Sequence, residues 1–267
     1  MWVNKMLVTK EEAINFESQI AYQIYNSKLN VYPFAHSQIE NFLPAHLINS
    51  VLDYWPSHEE FTSNKDSGSV ANVSGKSISE DSSYNFRHQI ALTDKPEIEQ
   101  IKGDNFEFWK SFTDLLCSRK IIQALVSLYG VSISKRFNLK GFNELFEKMA
   151  YAPRIHLIHD KTNYALGPHT DNPGKVVVLL IYFESDLEDS KSSFGTSVYI
   201  PKKPGFSCTK GIHHDHDDFI RVFSASFQKN NAFSFCRSDK SFHGVEKVQE
   251  KSVERKLLQY SLYGNLK

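Results

Sequence analysis

LGPHTDNPGKVVVLLIYF (166–183) is the stretch from which the architecture is read. Its second half, Val176 to Phe183, is an unbroken apolar run of eight residues behind the turn-forming Asn172-Pro173-Gly174. A run this short, rich in β-branched residues, reads as a strand buried on both faces. It is too short to span a bilayer. RIHLIHD (154–160) lies upstream, and TSVYI (196–200), RVFSASF (221–227), AFSFC (232–236) and RKLLQYSLYG (255–264) lie downstream. Turn signals such as Pro204-Gly205 separate them. Short strands with irregular connections predict a mainly β core, a sandwich or jelly roll.

The first half changes period. Thr9 and Glu12 form a capping-box pattern ahead of Ala13, Phe16, Ile20 and Ile24, which recur at helical spacing. A short strand is expected within 32–42, then a helix from Ala45 to Tyr54 closed by Pro56. Asp104, with Glu107, is expected to cap a helix through Leu116, and Ser118 to open another ending at Gly130. Residues 57–83 hold nine serines and two glycines and read as a long mobile surface loop. No repeat or apolar-poor linker divides the chain. One domain, 1–267, is expected, with 1–150 as mostly helical support and entry strand and 151–267 as the β core, the helices packing on its outside.

Composition narrows the function. The 267 residues carry 31 Lys+Arg against 31 Asp+Glu, so the basic footprint of a nucleic-acid binder is missing. No apolar stretch suggests a membrane partner or a secretory leader, and a cytoplasmic protein is expected. Cys117, Cys208 and Cys236 are odd in number and fit no zinc spacing, so reduced thiols are expected. Gly75-Lys76-Ser77 lacks the glycine a phosphate loop requires at position 70, where Val70 stands. GIHHDHDDF (211–219) gathers His213, His214, His216 and three aspartates, and reads as a solvated loop between strands. Adjacent ligands on a flexible loop fix no coordination geometry.

Chemistry concentrates at His169-Thr170-Asp171. If the strand is extended, residues i and i+2 point to one side and offer an imidazole and a carboxylate to one point. His243 follows Asp171 by 72 residues, and Arg255 opens the last strand twelve residues later. Two histidines and a carboxylate on one face, with open positions opposite, form the facial triad of non-haem Fe(II) oxygenases.

With these motifs the chain resembles the 2-oxoglutarate/Fe(II)-dependent dioxygenase superfamily, on its prolyl-4-hydroxylase-like side. The resemblance covers roughly 150–264, with a fainter echo in YPFAHSQIENFLPAHLINSVLDYWP (32–56). It implies a double-stranded β-helix, or jelly roll, with His169, Asp171 and His243 as iron ligands and Arg255 anchoring the distal carboxylate of 2-oxoglutarate. Tyr164 and His156 are further candidates for the co-substrate pocket. Lys256 is a rival anchor, but alternation on a strand should point only one of the pair inward. Arg255 is preferred for its planar fork. Gly195-Thr196 and Gly244-Val245 resemble family turns, whereas Leu257 stands where many relatives place a serine. The implied activity is hydroxylation of an unactivated C–H bond with O2, 2-oxoglutarate leaving as succinate and CO2. The substrate, small-molecule or peptidyl, is not written in the chain, nor is the oligomeric state. The alternatives are a cupin-like metal-dependent isomerase or hydrolase that uses no 2-oxoglutarate, and a binding protein that kept the fold without turnover.

Overall fold

The computed structural model describes residues 10–63, 87–160, 164–184, 194–247 and 254–267. It is built on two antiparallel sheets with helices on one side. The larger sheet contains β1 (His36–Ile39), β2 (Thr62–Ser63), β3 (Arg87–Ala91), β4 (Met149–Asp160), β6 (Lys175–Glu184), β9 (Ala232–Cys236) and β11 (Arg255–Leu266). Its order is β1-β9-β6-β11-β4-β3-β2. The smaller sheet has the order β5-β10-β7-β8, from β5 (Leu166–His169), β7 (Ser197–Pro201), β8 (Phe219–Ser224) and β10 (His243–Val245).

Why Val176–Phe183 is apolar throughout is now visible. Val177, Leu179, Ile181 and Phe183 join the core under the helices. Val178, Leu180 and Tyr182 join a second core with Val198 and Ala225 of the smaller-sheet region. Burying each such side chain contributes roughly 1.5–3 kcal/mol, so a central strand with two apolar faces anchors both layers. β11 alternates differently. Leu258, Tyr260 and Leu262 belong to the helix-side core, while Arg255, Leu257, Gln259, Ser261 and Tyr263 line a cavity on the other face. The polar half of that alternation positions the site.

The helices are α1 (Lys10–Tyr25), α2 (Ala45–Asp53), α3 (Lys95–Ile98), α4 (Asp104–Leu116), α5 (Arg119–Leu128), α6 (Gly130–Phe137) and α7 (Glu144–Glu147). Trp109, Leu116, Ile121 and Leu125 share one core with the outer face of the larger sheet. The Trp55 ring, after α2, meets Phe183 of β6 at 5.5 Å. The expected arrangement of helices against a β core is therefore found.

Several local expectations change. Ser118 does cap α5, accepting from the Ile121 amide. Asp104 is inside α4, whose cap position is Gly103 at φ +60. Gly130 does not end the helical region but opens α6, which closes on left-handed Asn138. Thr9 lies outside the described residues. So does 64–86, the bulk of the expected Ser-rich loop, but residues 57–63 are structured. The Ser57 amide donates to Glu60 Oε2 and the Lys102 amide to Oε1, both at 2.7 Å, which lets Glu60 be buried. Phe61 is buried beside it, and β2 pairs with β3. Cys117, Cys208 and Cys236 are free thiols. Among the described residues no helix is long and apolar enough to cross a membrane.

Candidate metal centre

His169 ends β5 and His243 begins β10, and the two are direct partners in the antiparallel ladder. Cross-strand pairing brings their rings to 4.2 Å between centroids. Asp171 does not reach them by strand alternation, as expected from sequence. It stands beyond the strand end at φ +66, a left-handed turn that Asp adopts more readily than most residues. The turn is pinned on either side. Thr170 Oγ1 donates to the Cys208 carbonyl at 2.7 Å. Gly211, at φ +65, lies so close that a Cβ there would sit 2.7 Å from the Asp171 carbonyl carbon.

The His169, Asp171 and His243 ligand atoms all lie within 4.8 Å of one another, and no other such group converges among the described residues. His169 Nδ1 is 3.0 Å from the Gly167 carbonyl, and His243 Nδ1 is 2.9 Å from the Ser241 carbonyl. A carbonyl only accepts, so each Nδ1 carries the proton, and in the neutral ring each Nε2 presents a lone pair. Those lone pairs face the Asp171 carboxylate, at 3.2 Å for His243 and 3.9 Å for His169. Electron pairs aimed at one another without a cation are unfavourable, whereas a divalent ion between them satisfies all three. The donor set, two imidazoles and one carboxylate, is that of non-haem Fe(II).

Electrostatics agree. Burial holds His169 well below the usual imidazole range, with His243 and His213 adding to the effect, so it is neutral and ligand-ready. Burial alone would raise the Asp171 carboxyl. The Lys175 ammonium outweighs it and holds the group ionised, well below the ordinary value. Lys175 Nζ is 2.6 Å from Asp171 Oδ1.

The triad opens into a cavity of about 270 Å3. Arg255 lies in its wall, 1% exposed, while Lys256 is not part of the wall. Arg87, Asp160 and Arg255 are register partners across β3, β4 and β11. Asp160 takes Arg87 Nε and Nη2 at 2.7 and 2.9 Å and Arg255 Nη1 at 2.5 Å. Arg255 Nε donates to the Phe194 carbonyl at 2.6 Å. One buried carboxylate thus orders two guanidinium groups.

His156 also lines the cavity. Burial, then Lys175, Arg87 and Arg154, push its imidazole down to about 4. Tyr164 is fully buried but outside the cavity wall. Its ring lies 4.4 Å beneath the Arg87 guanidinium and 6.0 Å from that of Arg255.

The 211–219 segment corrects the solvated-loop reading. Gly211 and His213 line the cavity, and the His213 ring is 4.4 Å from His169. The His214 amide donates to the Pro168 carbonyl at 3.0 Å, tying the segment along β5. The His214 ring packs among Phe206, Phe219 and Phe242. Burial pushes the His213 imidazole down to about 4. Arg87, Asp160 and Lys175, which stand at or beside this cavity, were not singled out in the sequence, and His213 was read as part of a solvated loop. Only Lys175 carried a signal, standing four residues after Asp171.

No protein-family model and no curated protein matches the chain. Solved structures do. A Phytophthora capsici prolyl 4-hydroxylase is similar at 12% identity and TM-score 0.48, covering 97% of this chain and 68% of its own. A 2OG-Fe(II) oxygenase family oxidoreductase from Burkholderia pseudomallei is similar at 12% identity and TM-score 0.46, covering 96% and 92%. The Arabidopsis thaliana dioxygenase for auxin oxidation, solved with 2-oxoglutarate, is similar at 11% identity and TM-score 0.48, covering 97% and 92%.

Proposed function

We propose that the protein is an Fe(II)- and 2-oxoglutarate-dependent oxygenase. The observation that carries this reading is the convergence of His169, Asp171 and His243, lone pairs inward, on a cavity whose wall also holds buried Arg255. His169 Nε2, His243 Nε2 and one Asp171 oxygen would hold the ion. Bound there, Fe(II) supplies O2 activation coupled to oxidation of 2-oxoglutarate to succinate and CO2.

The chain's own groups do the rest. The Gly167 and Ser241 carbonyls fix the tautomers of the two histidines. Asp160 holds the Arg255 fork in place to receive the distal carboxylate of the oxo acid, and Arg87 completes the charge around it. Leu166, Val178, Leu180 and Leu257 supply the apolar part of the wall and help keep bulk water out. Hydroxylation of an unactivated C–H bond in a small-molecule or peptidyl substrate fits this arrangement. One neighbour, a Trichoplax adhaerens prolyl hydroxylase, was solved with a hypoxia-inducible-factor peptide fragment.

Succinate release from 2-oxoglutarate is the test, measured with and without Fe(II). Iron-dependent succinate formation by the wild type, absent in His169→Ala, is the expected result. Metal binding with neither 2-oxoglutarate binding nor succinate release would instead favour the cupin-like alternative.

A further inference from the structure

The cavity has two ends of different character. Along β11 the wall runs from Arg255 through Leu257 to Gln259, Ser261 and Tyr263. At the Tyr263 end stands its register partner on β6, Lys175. Lys175 is only 9% exposed, and its ammonium reaches the cavity beside Asp171. Arg154 of β4 lies over the Tyr263 ring at 4.9 Å and adds positive charge at the same end.

A buried ammonium is costly unless it is paired. Without metal, Asp171 is that pair. With a divalent ion on the same carboxylate, one negative charge must serve three positive ones. Charge counting over the described residues of the cavity points the same way. Arg87, Lys175 and Arg255 face Asp171 and Asp160, leaving one positive charge. A divalent ion raises the excess to three, and dianionic 2-oxoglutarate lowers it to one. The remaining charge belongs at the Lys175 end, because Arg255 and Arg87 serve the co-substrate.

Size and polarity narrow the partner further. About 270 Å3 lies at or below the lower end of ordinary ligand pockets, roughly 300–1,000 Å3. The co-substrate takes part of it, which leaves room for a compact molecule. Asn172, Gln259, Ser261 and His156 in the cavity wall offer hydrogen bonds rather than a bed for an acyl chain.

We propose that the substrate is a small polar molecule bearing one carboxylate, and that Lys175 binds that carboxylate beside the metal centre. This rests on the oxygenase reading and goes beyond it by naming the substrate class.

The test uses full-length protein loaded with Mn(II) and saturated with N-oxalylglycine, an unreactive 2-oxoglutarate analogue. Paramagnetic relaxation of two isosteric probes, propionate and propionamide, is measured by NMR. The expected result is saturable relaxation of propionate only. Lys175→Gln should weaken it by at least about 10-fold, and Lys175→Arg should restore part of it. Thermal unfolding and direct Mn(II) titration establish that each variant is folded and loaded. Equal relaxation of the two probes, none for propionate, or a Lys175→Gln protein that binds propionate like wild type overturns the proposal. Failure of Mn(II) and N-oxalylglycine to bind at all overturns the oxygenase reading and this inference with it.

Discussion

Asp160, fully buried, carries two guanidinium groups, and the asymmetry of its bonds separates their roles. Arg87 engages it with two nitrogens, Arg255 with one, and Arg255 Nη2 makes no hydrogen bond to a described residue. Arg255→Ala therefore leaves Asp160 paired, so the variant should fold. Its 2-oxoglutarate affinity should fall at least about 30-fold, as truncating one member of a buried charge pair usually costs about 2–5 kcal/mol. Arg255→Lys should recover part of this, and Lys256→Ala should change little. A damaging Lys256→Ala beside a silent Arg255→Ala would place the anchor on the wrong residue. Asp160→Asn does the opposite, leaving two buried cations facing each other. It should lower stability by roughly 3–5 kcal/mol, as loss of one partner from a buried ion pair does, read as a shift in urea midpoint. His169→Ala removes a ligand without disturbing that cluster. Calorimetric Mn(II) binding should be lost while the unfolding midpoint of the metal-free protein stays near wild type.

At the level of elements, the 211–214 segment and the Asp171 turn form one unit. Gly211→Ala must accept φ +65 and a Cβ 2.7 Å from the Asp171 backbone, so it should displace the carboxylate and weaken Mn(II) binding at least about 10-fold. Gly205 provides the control. It too has positive φ, at +75, but open space around its Cβ position. Gly205→Ala should cost only the backbone term, about 1–2 kcal/mol, with metal affinity unchanged. Equal effects on metal binding from both would show that the close approach at Gly211 is immaterial. The contrast also explains what the sequence could reveal. β6 was legible as an unbroken apolar run and β11 as a run rich in apolar and aromatic residues. Arg255 was preferred over Lys256 for its planar fork, and the structure puts Arg255 in the cavity wall and Lys256 outside it. The triad was legible as residue types at a spacing. Its turn geometry was not, because the left-handed Asp171 is held by Thr170 and Gly211 contacts that only the folded chain makes. β3 is five residues next to a serine-rich stretch, so Arg87 carried no periodic signal. His213 looked solvated because its neighbours in sequence are charged, while its neighbours in space are His169 and the cavity.

For the molecule as a whole, the site's neutral imidazoles set an acid limit on stability. Burial is the largest cause in each case, lowering His156 and His213 to about 4, His169 well below the ordinary value, and the more distant His36 below it as well. In the unfolded chain these groups titrate near 6.5. Between 6.5 and 4 the unfolded state therefore binds more protons than the native one, and stability must rise with pH across that window. It should be level above pH 6.5 and fall steadily as pH drops toward 4. Asp171 acts in a different range. Its carboxyl is depressed below 3.8, so its contribution is intact throughout the histidine window and is lost only at lower pH. For His156, a value of about 4 in place of 6.5 corresponds to at most roughly 3 kcal/mol at pH 4, less to the extent that its ring reaches solvent. His156→Gln keeps an uncharged polar group in the cavity and removes the titration. Urea unfolding at pH 7 and pH 4.5 should show a smaller stability loss in this variant than in wild type. Saturating Mn(II) should raise the wild-type midpoint at both pH values, because the native state holds the metal and the unfolded chain does not. A wild-type midpoint that stays level from pH 7 to 4.5 would mean that the cavity histidines are solvated and freely protonated, and a metal-dependent rise in midpoint that His169→Ala leaves intact would place the ion elsewhere.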